Sequence, residues 1–406
     1  MVTWIASTPP ARSWRKTFSE KLQYCRLSMR GAVMTMTLAA RAVARNAVRS
    51  ASGFPLGPGD RDACPAELRT CLANRPGPIL RHTYQKVQVA MFHATQGPAV
   101  GASPAPSVEV VASERVRPLP GTDPCAGRIH WAPGKSAWWF AHALSGVLAV
   151  TAFPSWSGLA VFLVLTGITI CAGHSVGMHR LLIHRSFETS KPVEYLLVWL
   201  GVLVGMAGPF GMIRAHDKRD WHQRQANCPP HPSHGAGPLK DAWWQMHCEF
   251  RLAHPPVFEI EPEIAQDPVY RWMERLWWAQ QLPVALALFA LGGWGWVLWG
   301  VSLRIVVSLT GHWAIGHAAH KGGQQDWTID GLPVQGYNLP GFGPITFGEN
   351  WHGNHHAFPH SARLGVLPGQ SDPGFRLIQA LDWLGLASGI HLPHSAPPRP
   401  GLRRLD

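Results

Sequence analysis

No CxxC pair and no regular spacing link the seven cysteines of this chain (Cys25, Cys64, Cys71, Cys125, Cys171, Cys228 and Cys248), which argues against a disulfide framework or a cysteine-held cluster. They read as reduced thiols, on the cytosolic side or buried in apolar surroundings. There is no GxGxxG nucleotide fingerprint and no HPGG haem signature, so any electrons the chain uses must come from a separate carrier. HExxH is also missing, which argues against a zinc hydrolase. Charge is absent from residues 137–153 and from 156–178.

The charge that is present lies unevenly. Residues 1–130 hold 17 Lys+Arg against 7 Asp+Glu, residues 131–406 hold 19 against 17, and 19 of the 22 histidines follow residue 130. The basic part and the histidine-rich part are therefore different objects, and the net charge of +12 is no argument for nucleic acid binding by the main domain. Twenty tryptophans are many for a soluble chain of this size, and a membrane interface is where such rings collect.

Residues 1–104 have little sustained apolar periodicity and much Pro, Gly, Ser and Arg, and are expected to be disordered. Residues 26–51 are Arg-rich without acids, the composition of a transit peptide or amphipathic surface helix; the alternative, favoured here, is a true start downstream, for instance at Met91. Residues 105–136 read as a cytosolic lead-in, 137–390 as a membrane domain and 391–406 as a flexible tail.

Apolar runs at 137–153, 156–178, 276–291 and 294–315 approach the roughly twenty residues that cover a ~30 Å hydrocarbon core. A further run at 193–213 is interrupted by Gly and Pro and is expected in the interface or packed against the others. The tips 154–157 and 292–295 carry no Lys or Arg, whereas Lys135, Arg180, Arg185, Arg214, Lys218, Arg219, Arg224, Arg271 and Arg275 lie on the opposite side. Positive-inside bias then places both termini and the histidine clusters in the cytosol. The expected fold is all-α and integral to the membrane: four transmembrane helices with a cytosolic helical cap carrying a histidine-rich di-metal site. Arg304, mid-way in the last span, should face the bundle interior or a polar cavity, because a lipid-facing charge is expensive.

Residues 350–360, NWHGNHHAFPH, carry four histidines. On a helix His352 shares a face with both His355 and His356, while the adjacent pair diverges by about 100°, so the cluster can reach two metal ions. Neutral imidazole suits iron, zinc and copper alike. His179 and His184 are five apart, about 140° off one face of an α-helix, which suits different ligand directions or a helix that breaks at the membrane surface. His216 has Asp220 one turn further on, and residues 311–323 (GHWAIGHAAHKGG) end the last span.

Order, spacing and topology together resemble the integral-membrane fatty acid desaturases, most closely the acyl-CoA type with HxxxxH, HxxHH and HxxHH boxes. HRLLIHRSF (179–187) looks like the first box and GENWHGNHHAFPHSA (348–362) like the last, and the match covers roughly 137–390. The resemblance implies two iron ions held by His179, His184, His216, His320, His352, His355 and His356. It also implies an overall reaction in which a saturated acyl chain, O2 and two electrons give an alkene and water. The substrate would be an acyl-CoA or a membrane lipid in an apolar tunnel, and the electrons would come from a reduced ferredoxin or a cytochrome b5-like donor. The implied setting is a bacterial cytoplasmic membrane.

The second box departs from the family pattern. Arg219 and Asp220 stand where the family has a histidine pair; Asp220 can ligate iron through oxygen, Arg219 cannot, and His222 substitutes only if the backbone shifts. The family's water-holding Asn is replaced by Gly316, next to His317. His312, His317 and His360 are candidates for orienting a ligand or a carboxylate, His174 is expected to be packed or hydrogen-bonded, and His231, His234, His247, His254, His391 and His394 to face solvent. Arg219, Arg224 and Lys240 offer a basic face to an acidic carrier or a CoA head group. Rival readings are another membrane di-iron oxygenase, a hydroxylase or ketolase of lipid, alkane or carotenoid, and a membrane metal-binding or transport protein.

Overall fold

A computed structural model of the chain describes residues 113–395 and 398–405. The expectations for residues 1–104, and for 105–112 of the lead-in, lie outside the described residues. Among the described residues the chain is mainly helical, with eight short strands paired into four antiparallel ribbons.

Helix α1 (Pro133–Ala152) starts on a proline whose fixed φ suits a first turn. After a short turn α2 (Trp156–Ile168) begins, capped by Ser155 Oγ, which accepts from the Gly158 N–H at 3.0 Å. It runs directly into α3 (Thr169–Ile183), which is wound with π-type hydrogen bonds. The stretch Trp156–Ile183 and a second, Trp277–Lys321, are long and apolar enough to cross a membrane.

The second stretch folds back on itself. Helices α8 (Gln281–Val297) and α9 (Arg304–Lys321) are separated by a π-wound segment, and Gly293, inside α8, takes φ 67, which only glycine adopts freely. In a continuous helix Leu288 and Ile305 would be about 25 Å apart, yet they share one core with Val301. The expected hairpin at Gly292–Gly293 is thus present. Arg304 faces inward as expected: at 1% exposure it donates to Gln281 Oε1 (2.7 Å), Gly300 O (2.7 Å) and Leu203 O (2.5 Å), tying both arms to the turn after α4 (Lys191–Val202).

The interrupted run 193–213 packs against α3. It forms α4, a turn at Gly205 and the start of α5 (Pro209–Gln223). A Cβ on Gly173 or Gly177 of α3 would come within 2.3 Å of the α4 backbone, so these glycines let the two backbones approach. Met178, Leu182 and Ile183 of α3 then share a core with Val198 and Val202 of α4, Met212 and Ile213 of α5, and Tyr270 and Met273 of α7 (Pro268–Arg275). Each such side chain, fully buried, contributes about 1.5–3 kcal/mol. On its other side α3 meets Ile378 of α11 (Pro373–Trp383).

Four ribbons fasten the loops: β1 (Val116–Arg117) with β5 (Val257–Phe258), β2 (Gly127–Trp131) with β4 (Cys248–Leu252), β3 (Glu188–Thr189) with β7 (Ala387–Ser388), and β6 (Trp327–Ile329) with β8 (Leu402–Arg404). The last involves residues 402–404, within the segment expected to be a flexible tail. Strand β8 finds a free edge at β6, and Arg403 clasps both oxygens of Asp330 at 2.7 and 2.8 Å.

Candidate metal centre

His179, His184, His216 and His355 bring one ligand atom each to within 4.8 Å of one another, and His320, His352 and His356 do the same beside them. The π winding of α3 explains the first box. The His184 N–H bonds the His179 carbonyl five residues back at 3.1 Å, so residues five apart stack one turn above the other. The two rings come to 4.9 Å, and the divergence expected of an α-helix does not arise. His216 comes from α5, with its Nε2 3.3 Å from that of His184.

Helix α10 (His352–Ala357) divides its histidines as its periodicity requires. His352 and His356, four apart, have their Nε2 atoms 3.0 Å apart and belong to the second group. His355, a hundred degrees round, points to the first, 4.5 Å from His179 between ring centres. His320 at the end of α9 brings its Nε2 to 3.0 Å from that of His352. One short helix thus serves both groups.

Acceptors behind the rings set their direction. Glu349 Oε2 sits 2.7 Å from His179 Nδ1, Asp217 Oδ1 2.8 Å from His216 Nδ1, and the Gln335 carbonyl 3.2 Å from His320 Nδ1. With a proton on each Nδ1, the Nε2 lone pairs face inward. Glu349 is held in turn by Ser175 Oγ (2.6 Å), and Asp217 by Arg115 Nη1 (2.8 Å). Burial opposes ionisation of both carboxyls, yet His179 and Arg180 around Glu349, and His216 and Arg115 around Asp217, hold each below the ordinary carboxylate range. Burial, with the neighbouring imidazoles, drives His184, His352, His355 and His356 well below the usual histidine range, so they are neutral at physiological pH.

Where Nδ1 carries the proton, Nε2 atoms 3.0–3.3 Å apart turn their lone pairs toward one another, an arrangement that a cation between them would stabilise. All-nitrogen donor sets backed by carboxylates and a carbonyl fit a pair of transition-metal ions, iron among them.

The remaining residues singled out from the sequence fall elsewhere. Asp220 is outside both groups, its carboxylate turned onto Arg224 at 2.7 Å. His222 packs against Trp221 and Phe250. Arg219 donates to Gln245 Oε1 at 3.2 Å. His312 stands edge-on to buried His174, and His360 pairs with Glu114 at 3.2 Å. His317 Nδ1 bonds Asp241 Oδ2 at 2.8 Å, as does His234 Nδ1, making a third convergent group. His234 and His247 were expected to face solvent but are buried, because Asp241 and Ser136 respectively accept or donate a hydrogen bond inside. Sequence reasoning missed Glu349, Asp217, Arg115 and Asp241. A carboxylate three residues before a ligand histidine, or adjacent to one, was the available signal for the first two.

An imidazole-lined pair of groups beside long apolar helices has the donor chemistry of a transition-metal site in a membrane-type protein. The fatty acid desaturase family matches over residues 154–365. Relatives include an sn-1 stearoyl-lipid 9-desaturase of Anabaena variabilis, 36% identical over 59% of this chain and 85% of its own length. An sn-2 palmitoyl-lipid 9-desaturase of Nostoc sp. (strain 36) is 32% identical over 61% and 85%, and an acyl-CoA 5-desaturase of Anemone leveillei is 28% identical over 61% and 76%. The chain belongs to the fatty acid desaturase family, and it is an oxidoreductase that desaturates fatty acyl chains.

Proposed function

We propose that this desaturase works through two iron ions, one held by His179, His184, His216 and His355 and the other by His320, His352 and His356. The convergence of these seven imidazoles from four separate stretches of chain carries the reading. Iron bound there supplies the activation of O2 that no side-chain acid or base offers for an unactivated methylene. The chain's own part is to keep His184, His352, His355 and His356 neutral, to orient ligands through Glu349 and Asp217, and to hold the acyl chain beside them.

The arrangement in the membrane is four spans, made by α1, α2 with α3, and the two arms of the Trp277–Lys321 hairpin, with the helical cap and both termini in the cytosol. Large apolar side chains exposed on all four arms, such as Phe140, Leu148, Leu163, Val164, Leu286, Phe289 and Val307, support it: a soluble bundle would bury them. Only 28% and 22% of the two most apolar windows are buried within the fold. Electrons come from a ferredoxin or cytochrome b5-like donor, and the membrane is the bacterial cytoplasmic one. The relatives at 36% and 32% identity are 9-desaturases of lipid-bound chains, which favours a lipid-bound acyl group over acyl-CoA as substrate and the 9-position as the site of the double bond.

Expression of the wild type and His355→Ala in a host lacking the activity tests this by fatty-acid profile and iron content. The wild type should carry iron and yield a new monounsaturated chain; the variant should lose iron and yield none. A hydroxylated product would favour the hydroxylase reading instead.

A further inference from the structure

His234 lies in a proline-flanked loop at 1% exposure, with its backbone in the left-handed region at φ 54, unusual for any residue with a side chain. Such outliers persist where the surroundings enforce them and cluster at functional sites. The ionised Asp241 only accepts, so the 2.8 Å contact puts the imidazole proton on Nδ1 and leaves a lone pair on Nε2. That Nε2 is buried with no hydrogen-bond partner.

Asp241 is not itself the centre of a third metal site. Its Oδ2 accepts from His234, from His317 (2.8 Å) and from Trp313 (2.9 Å), and its Oδ1 accepts from Gln245 (3.2 Å). The group is a hydrogen-bond hub whose purpose is direction. The ring it directs lies beside His320, 5.3 Å between centres and nearly parallel to it.

The second group has three imidazoles where the first has four. Arg219 has no lone pair to offer, and Asp220 is held by Arg224. Gln223 reaches within 3.2 Å of His320 Nε2, but its side-chain nitrogen donates to Pro232 O at 2.9 Å and so presents N–H, not a lone pair. The same bond pins the loop carrying His234. At Gly316 a Cβ would sit 3.6 Å from His234 Nε2, so the imidazole occupies room a longer side chain would need.

We propose that His234 Nε2 is the fourth nitrogen donor of the second metal, beside His320, His352 and His356, with Asp241 fixing its tautomer and direction. This rests on the reading of the two groups as metal sites.

The test uses the full chain in detergent, loaded with 57Fe, with iron per chain and Mössbauer spectra as readouts. His234→Gly removes the imidazole and suits φ 54, so the backbone is relieved rather than strained. The variant should bind one of its two ions at least about tenfold more weakly. Free imidazole should restore both that ion and its spectrum, which rescue of a purely structural histidine would not do. Wild-type affinity and an unchanged spectrum in His234→Gly, or iron loss that imidazole does not reverse, would overturn the assignment. A wild type that holds no iron would overturn the metal reading itself, and the role of His234 with it.

Discussion

At the scale of single residues, the ligand histidines were legible because their spacing is chemical, whereas the groups that aim them were not. His352, His355 and His356 announce themselves by i, i+3 and i+4 spacing, and the structure divides them between two groups. Glu349 is one glutamate among 24 Asp+Glu residues, and only the packing of α3 against the loop before α10 reveals it beside His179. Arg115, far off in the chain, reaches Asp217 because β1 pairs with β5 and brings the lead-in over α5. Glu349→Gln keeps the shape but removes the charge that favours a protonated His179 Nδ1. It should weaken iron binding about 10–100-fold, read by titration with a competing chelator, while the fold by circular dichroism is unchanged. Equal chelator resistance in wild type and variant would show that Glu349 does not orient a ligand.

Among elements, the hairpins could be read from uncharged runs and Gly292–Gly293, but the winding of α3 could not. A spacing of five was taken against α-helical geometry; π-type bonding answers it, and no residue-level propensity announces that winding. Strand β8 is hard to read from sequence for a related reason: it is three residues long, and its pairing with β6 rather than its own composition defines it. The α3–α4 contact makes the element-level argument testable. A Cβ on Gly177 would meet the Leu197 carbonyl at 2.3 Å, so Gly177→Val must part the helices, at about 1–3 kcal/mol. The unfolding temperature of the detergent-solubilised protein should fall, and iron should be lost with it because His179 and His184 ride on α3. Gly134→Ala, where a Cβ meets nothing within 4 Å, should leave both unchanged. A stable, iron-replete Gly177→Val would contradict the close packing.

For the whole molecule, the same sequence solves two solvent problems at once. Its apolar helices leave Phe140, Leu163, Leu286 and Phe289 exposed on the outside while placing the one guanidinium of the last arm, Arg304, inside on three oxygens. The ends of α3 and α9 carry His179 and His320, and α5 and α10 bring His216, His352, His355 and His356 to them, while α6 (Pro238–His247) carries Asp241. Family membership was readable from the first and last boxes; the altered second box was visible as a departure, but the part proposed for the loop that follows it needed the fold.

The account stands on two separate metal positions beneath the helices. Anomalous scattering at the iron edge from crystals of the iron-loaded protein locates them directly. Two peaks are expected, one among His179, His184, His216 and His355, the other among His320, His352 and His356. A single peak, or peaks away from these imidazoles, would contradict it.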